Sequence, residues 1–253
     1  MTSYELREFE WLPDLDLATV EPLVASIDRD GLCVVPGCGT SCVSATLRDG
    51  WGFRRVLSLD SDAAAIDFMR ARQRDDARRC DFVVADATDC AGVVADGAAA
   101  LVVDKSTLDC LLCSDAAAYA CSVARMLAVG GCFLVMSFHD AEFLKAALCA
   151  ALPFCVEREV VREKNVALLL RRTAGAWEPE AVAAALLRPT VPPERLARLR
   201  ASWGGARPLR EAYDLLFSDA LKAEYAFADF EADAGSADRW SLDDALAFLR
   251  RTQ

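Results

Sequence analysis

Between Gly31 and Arg172, short apolar runs alternate with stretches whose apolar positions recur every three or four residues. The runs are LCVVP (32–36), RVLSLD (55–60), DFVVAD (81–86), AALVVD (99–104) and CFLVMSF (132–138). They are apolar almost throughout instead of alternating with polar residues, which is the pattern of strands covered on both faces in a parallel sheet. Helices are expected between them, over 41–47, 63–72, 116–127 and 140–150. After Pro153 the rhythm changes: FCVEREVVRE and NVALLLRR, on either side of Lys164 and Asn165, predict an antiparallel hairpin added to the sheet edge. The expectation is an α/β fold, a Rossmann-like seven-stranded sheet that is mostly parallel with an antiparallel last hairpin.

Beyond Gly175 the strand pattern stops. Pro189, Pro192 and Pro193 read as a linker, followed by helical patterns at 194–201, 209–217, 221–230 and 242–250. The organisation expected is a domain over 1–174 and a small helical C-terminal extension over 175–253, with no internal repeat evident. Phe227 to Leu249 faintly echoes a helix-loop-helix calcium motif, but its acids miss the ligand spacing and the loop glycine is misplaced, so those acids read as a solvated loop.

Composition narrows the partners. The chain has 28 basic and 39 acidic residues and a net charge of −11, which repels a nucleic-acid backbone and suits a basic protein or a small molecule. No apolar run reaches membrane-spanning length, the stretch around 146–155 being cut by Pro153, and the N-terminus has neither a signal core nor transit-peptide character; a cytoplasmic protein is expected. The eleven cysteines are odd in number and lie inside apolar runs, so they read as reduced, buried small hydrophobes. With one histidine and a single CxxC, Cys110 and Cys113, no metal site is expected.

The candidate chemistry lies at strand ends. Gly37 and Gly39, in PGCGTS, let the chain turn sharply and let a ligand approach without meeting a Cβ, and Thr40 and Ser41 are possible caps of the helix that follows. Asp60, with Ser61 beside it, falls about twenty residues beyond the glycines, where an acid can accept hydrogen bonds from both hydroxyls of a ribose. Position 42, the third glycine of a dinucleotide fingerprint, is Cys42. This disfavours a pyrophosphate and favours a nucleoside carrying an amino acid, S-adenosylmethionine. Asp86 is placed to accept from an adenine amino group, with the Ala87 N–H available to a ring nitrogen; a helix cap at Asp86 or Asp89 is the bland alternative. Asp104 emerges at the carboxyl edge of the fourth strand, flanked by Lys105 and Asp109, which could instead form a buried ion pair that pins the loop. His139 follows the fifth strand at the same edge but lacks an evident partner, and Cys38 lacks a neighbouring base.

With these stretches the chain resembles the class I S-adenosylmethionine-dependent methyltransferases. VVPGCGTS, LSLD, ADATD and above all VVDKSTLD resemble the methyltransferase-like protein-lysine methyltransferases, the group that modifies elongation factor 1-alpha and citrate synthase; Ser106 stands where that group usually has glycine. REFEWL (7–12) resembles the group's aromatic lead-in, which implies that Trp11 helps cover the cofactor; packing of Trp11 against the sheet edge is the alternative. The likeness covers about residues 4 to 172. Members often carry a further N-terminal Tyr-Trp pair and an arginine over the methionine end, which this sequence begins too late to show: either Tyr4 and Arg7 substitute, the sequence is short at this end, or cofactor binding is weakened.

The resemblance implies attack of an amine on the sulfonium methyl, with Asp104 the candidate for orienting that amine and Gly37, Cys38, Gly39, Thr40, Asp60, Ser61, Asp86, Ala87 and Trp11 the candidates for holding the cofactor. Three readings follow from it: a protein-lysine methyltransferase, a small-molecule methyltransferase, and a cofactor-binding but inactive interaction protein.

Overall fold

The computed structural model describes residues 7–12, 15–73, 80–112, 114–163, 165–186, 193–217, 227–234, 238–242 and 244–245. They fall into two compact units, Met1–Leu187 and Arg188–Gln253.

The first unit is built on a seven-stranded sheet. Its strands are β1 Leu32–Pro36, β2 Arg55–Asp60, β3 Asp81–Val84, β4 Ala99–Lys105, β5 Leu127–Ser137, β6 Phe154–Arg162 and β7 Asn165–Arg172, in the order β3-β2-β1-β4-β5-β7-β6. The pairs from β3 through β5 are parallel, and β7 runs antiparallel to both β5 and β6. This is the expected fold: six strands share one direction and only β7 is reversed. Helices α1 Ala63–Arg72, α2 Thr107–Leu111, α3 Ala116–Met126, α4 Ala141–Ala151 and α5 Pro179–Leu186 cover it.

Alternation along each strand divides the core into two layers. Val34, Val102, Val135 and Leu168 pack on one face with Tyr119, Val123 and Leu144, and Val35, Val103, Leu134 and Leu169 pack on the other with Leu47, Phe53 and Ile66. Each such side chain taken from water contributes about 1.5–3 kcal/mol, which explains why the strands read as continuous apolar runs.

Two expected elements differ. The helix expected at 41–47 is only Val43–Ala45 and passes into a π-type turn, Thr46–Gly50, which lets Leu47 and Trp51 reach the core beside Phe53. Compact packing also runs past residue 174, because Val182 and Leu186 of α5 are buried in the layer of α3 and α4.

The second unit contains α6 Pro193–Trp203, α7 Leu209–Leu216 and α8 Phe227–Ala234, with a two-stranded ribbon of β8 Arg207–Pro208 and β9 Arg239–Trp240. Its core joins Leu199, Trp203, Tyr213, Leu216, Phe230 and Trp240. Residues 221–226 of the expected third helix lie outside the described residues, as does most of 242–250. Among the described residues no helix is long and apolar enough to cross a membrane.

Candidate functional site

In the first unit a cleft of about 250 Å³ opens at the carboxyl ends of β1 and β2, where an open parallel sheet offers its crevice. Gly37, Cys38, Gly39, Thr40, Asp60 and Trp11 line it, together with Phe9, Ser41 and Lys105; Ser61, Asp86, Ala87 and Asp104 are not in this lining.

The two glycines do different work. Gly37 has φ 64°, and a Cβ there would come within 2.6 Å of Thr107 Cγ2. Thr107 is drawn this close because its hydroxyl donates to the Pro36 carbonyl at 2.9 Å. Gly39 has φ 51° and no atom within 4 Å of a built Cβ, so its missing side chain leaves open space. The Gly39 N–H donates to Asp60 Oδ2 at 2.7 Å, while Oδ1 accepts from the Asp62 N–H at 2.9 Å. A carboxylate has about four acceptor positions, so Asp60 keeps capacity for hydroxyl donors in the cleft. Cys38 is buried with its N–H on the Leu59 carbonyl, and burial, followed by the Asp60 charge, pushes its thiol up to about 12. Such a thiol is inert, and the turn uses Cys38 for its backbone.

Asp86 accepts from both the N–H and the hydroxyl of Thr88, at 2.8 and 2.7 Å, and these bonds hold its carboxyl below the usual value. Ala87 is buried in the α3 layer, and Ser61 is exposed.

Asp104 does not face the cleft. Strand alternation puts it on the face of Val102, toward Tyr119, and turns Lys105 to the face of Val103 and Val35, where the cleft lies. Its side chain is fully buried, Oδ1 accepting from the Thr107 N–H at 2.8 Å and Oδ2 from the Leu108 N–H at 2.9 Å and the Tyr119 hydroxyl at 2.6 Å. Burial raises its pKa to about 7 against these three donors. A carboxylate so enclosed shapes the loop that starts α2; it does not fit the expected contact with a substrate amine. The expected Lys105–Asp109 ion pair is also replaced. Asp109 turns inward to the Ser137 hydroxyl and the Phe138 N–H, and Lys105 pairs with Glu10.

Glu10 is the residue that sequence reasoning passed over. Its carboxylate accepts from the Ser41 hydroxyl at 2.9 Å, the Cys42 N–H at 2.5 Å and the Lys105 ammonium. Burial alone would raise its pKa, but Lys105 and Cys42 outweigh burial and hold the carboxyl below its ordinary value. Arg7 adds a stitch through its carbonyl, which accepts from the Thr40 hydroxyl at 2.8 Å, and Glu8 pairs with Arg72 at 2.5 Å. Residues 7–12 thus form a strap over the glycine turn. Trp11 is 53% exposed and meets Phe9 edge-on at 5.0 Å, so it walls the cleft and is not packed under a helix. Glu8, Glu10 and Cys42 cluster closely, yet both carboxylates are already neutralised by cations of the chain. The signal for Glu10 was the FEW triplet itself; Tyr4, the other N-terminal candidate, lies outside the described residues.

His139 has the partner that the sequence did not reveal. Its Nε2 is 4.0 Å from Asp109 Oδ1, and its ring lies 4.9 Å from that of Phe138 and 5.4 Å from that of Phe143. Among the described residues the cysteines are free thiols, and Cys113, the second half of the CxxC, lies outside them.

These residues fit a nucleoside carrying an amino acid. Open space at Gly39, spare acceptors on Asp60, aromatic faces at Phe9 and Trp11 and a cation at Lys105 offer complements to ribose hydroxyls, an adenine ring and a carboxylate.

A family model described as a methyltransferase domain matches residues 35–131. No curated protein matches the chain. Among solved structures, the chain is similar to one from the complex of the Haloferax volcanii Trm112 methyltransferase activator with a methyltransferase (15% identity, 62% of this chain and 89% of that chain, TM-score 0.51). It is also similar to the PH0226 protein of Pyrococcus horikoshii (18%, 62% and 89%, 0.51) and to an S-adenosylmethionine-dependent methyltransferase of Methanosarcina mazei (12%, 66% and 100%, 0.51). At these identities the structures speak for the fold alone. The methyltransferase-domain model thus matches the stretch from β1 into β5 that forms most of the cleft, and these structures share the fold of the first unit.

Proposed function

We propose that this protein methylates a lysine side chain of a protein substrate. The observation that carries the reading is the VVDKSTLD loop, which closes the carboxyl edge of β4 beside the cleft: Asp104 fixes its backbone from within and Lys105 faces the cleft. It is the stretch that most resembles the protein-lysine methyltransferases, and the net charge of −11 suits a basic partner.

When bound, S-adenosylmethionine supplies an electrophilic methyl: a C–N bond forms to the attacking neutral amine as the C–S bond breaks, S-adenosylhomocysteine leaves, and the nitrogen loses a proton. The chain's part is positioning. Gly37, Cys38, Gly39 and Thr40 shape the seat, Asp60 binds the ribose, and Phe9 and Trp11 cover it. Asp86, Ala87 and Ser61 serve the adenine side from the neighbouring strand ends. Asp104 is a positioning residue, acting on the substrate side through the Thr107 and Leu108 N–H groups.

Incubation of the full chain with methyl-labelled S-adenosylmethionine and a cell extract, followed by acid hydrolysis of labelled protein, tests this. Label in methyl-lysine is expected. Label only in low-mass material identifies a small-molecule methyltransferase, and binding without transfer identifies an inactive interaction protein; either result overturns the proposal.

A further inference from the structure

The cleft has an acidic side and a basic side. Asp60 ends β2 and Lys105 ends β4, with the glycine turn that follows β1 between them. Neighbouring strands lie ~4.8 Å apart, so the two residues flank the turn across about 10 Å. Asp60 and Asp62 line the β2 side, and Lys105 is the only cation among the described lining residues. A carboxylate on a ligand is repelled at the β2 side, and its charge is matched at the β4 side.

The fold uses the Lys105 ammonium only in part. An ammonium has three N–H donors, and among the described residues the one hydrogen-bond and ion-pair partner of Lys105 is Glu10. The Lys105 side chain is 10% exposed, so water screens it little and it attracts an anion in the cleft more strongly than a surface cation would. Glu10 has anchors of its own in the Ser41 hydroxyl and the Cys42 N–H. A carboxylate anchored in this way fixes where the ammonium stands, beside Ser41 in the lining, and keeps the flexible stem of Lys105 from carrying it toward Asp60. An ion pair that only tied down the strap could lie anywhere along it, whereas this one stands in the wall of the cleft with donors to spare.

Resting on the cofactor reading of the cleft, we propose that Lys105 determines specificity for the amino-acid end of the ligand. Its ammonium binds the α-carboxylate, so nucleosides that carry a free amino acid are held in preference to those that lack the carboxylate. Glu10 is a positioning residue that acts through Lys105.

Isothermal titration of the full chain with two ligands tests this. One is S-adenosylhomocysteine, and the other is its decarboxylated analogue, which keeps the adenosine, the thioether and the ammonium. The wild type is expected to prefer the first by about 10- to 100-fold, the worth of hydrogen bonds to a charged group. Lys105→Met should bring the two affinities within about threefold of each other, and Glu10→Gln should lose a smaller part of the preference. The double variant Glu10→Gln/Lys105→Met should lose no more than Lys105→Met alone, because Glu10 acts only through the ammonium. It leaves no unpaired charge, so it also serves where Lys105→Met does not fold. Loosening of the strap weakens both ligands alike and leaves their ratio unchanged, as Asp60→Ala should. A wild type that binds both ligands equally, or a preference that survives in the double variant, overturns the inference and leaves the nucleoside cleft standing. A wild type that binds neither ligand overturns both.

Discussion

The strap over the glycine turn hangs on one charge pair, and Glu10→Gln tests that dependence. The amide keeps the shape and one acceptor oxygen for Ser41 or the Cys42 N–H, but it leaves the Lys105 ammonium, only 10% exposed, without its counter-charge. The Glu10 side chain is 29% exposed, so the pair lies between the surface case, worth ~0–1 kcal/mol, and the buried case, where losing a partner costs ~3–5 kcal/mol. A cost of about 1–2 kcal/mol corresponds to a strap that is open about 5- to 30-fold more of the time. The Cys42 amide reports it, because its hydrogen is covered only while Glu10 is docked. Its exchange, followed by NMR and corrected for intrinsic rate, should accelerate by that factor in Glu10→Gln. The wild-type pH dependence carries the same sign. The Glu10 carboxyl is lowered on folding, so its contribution is present above the unfolded value of about 4.3 and is lost as pH falls below it. Exchange within twofold of wild type in Glu10→Gln, or protection that persists unchanged to pH 3, would refute the ion-pair account of the strap.

Gly37→Ala and Gly39→Ala should separate the two roles in the turn. The first combines a left-handed φ with displacement of Thr107 and should cost about 2–4 kcal/mol in urea unfolding, whereas the second meets no atom and should cost only about 1–2 kcal/mol of backbone strain; equal losses would contradict the close approach of Thr107. Tyr119→Phe removes the hydroxyl donated to Asp104. Because the Asp104 pKa is raised to about 7, the folded chain holds a proton there that the unfolded chain gives up near 3.9, so this group's contribution to stability falls as pH rises across that window. The variant should lose about 1.5–3 kcal/mol at pH 8, where Asp104 is ionised, and less at pH 5; equal losses at the two pH values would show that Asp104 does not titrate between them.

The sheet was legible because its inner strands, such as β1, β4 and β7, are buried on both faces and the apolar runs are bounded by turn residues, so β1 to β4 begin where those runs begin. β5 starts at Leu127, five residues before the expected strand, because Gly130 and Gly131 read as a break whereas the pairing with β4 continues past them through a register shift, from Ala99 opposite Leu127 to Leu101 opposite Cys132. The glycine turn and Asp60 were legible as a local motif. The direction of Asp104 was available in principle: a strand's period of two assigns it to the face of Val102 and gives the cleft face to Lys105. The partner of Lys105 was not available, since Glu10 lies 95 residues away in sequence and meets it only through the fold. The same holds for Asp109 and His139, joined across 30 residues by the adjacency of α2 and β5.

The central claim is that the cleft between β1 and β2 holds S-adenosylmethionine through Asp60. Isothermal titration of the full chain with S-adenosylhomocysteine, which carries the same ribose without the transferable methyl, tests it most directly. Saturable binding is expected, weakened about 10- to 100-fold in Asp60→Ala through loss of hydrogen bonds to a charged acceptor worth ~1.5–3 kcal/mol. No binding by the wild type, or equal binding by a folded Asp60→Ala, would contradict it.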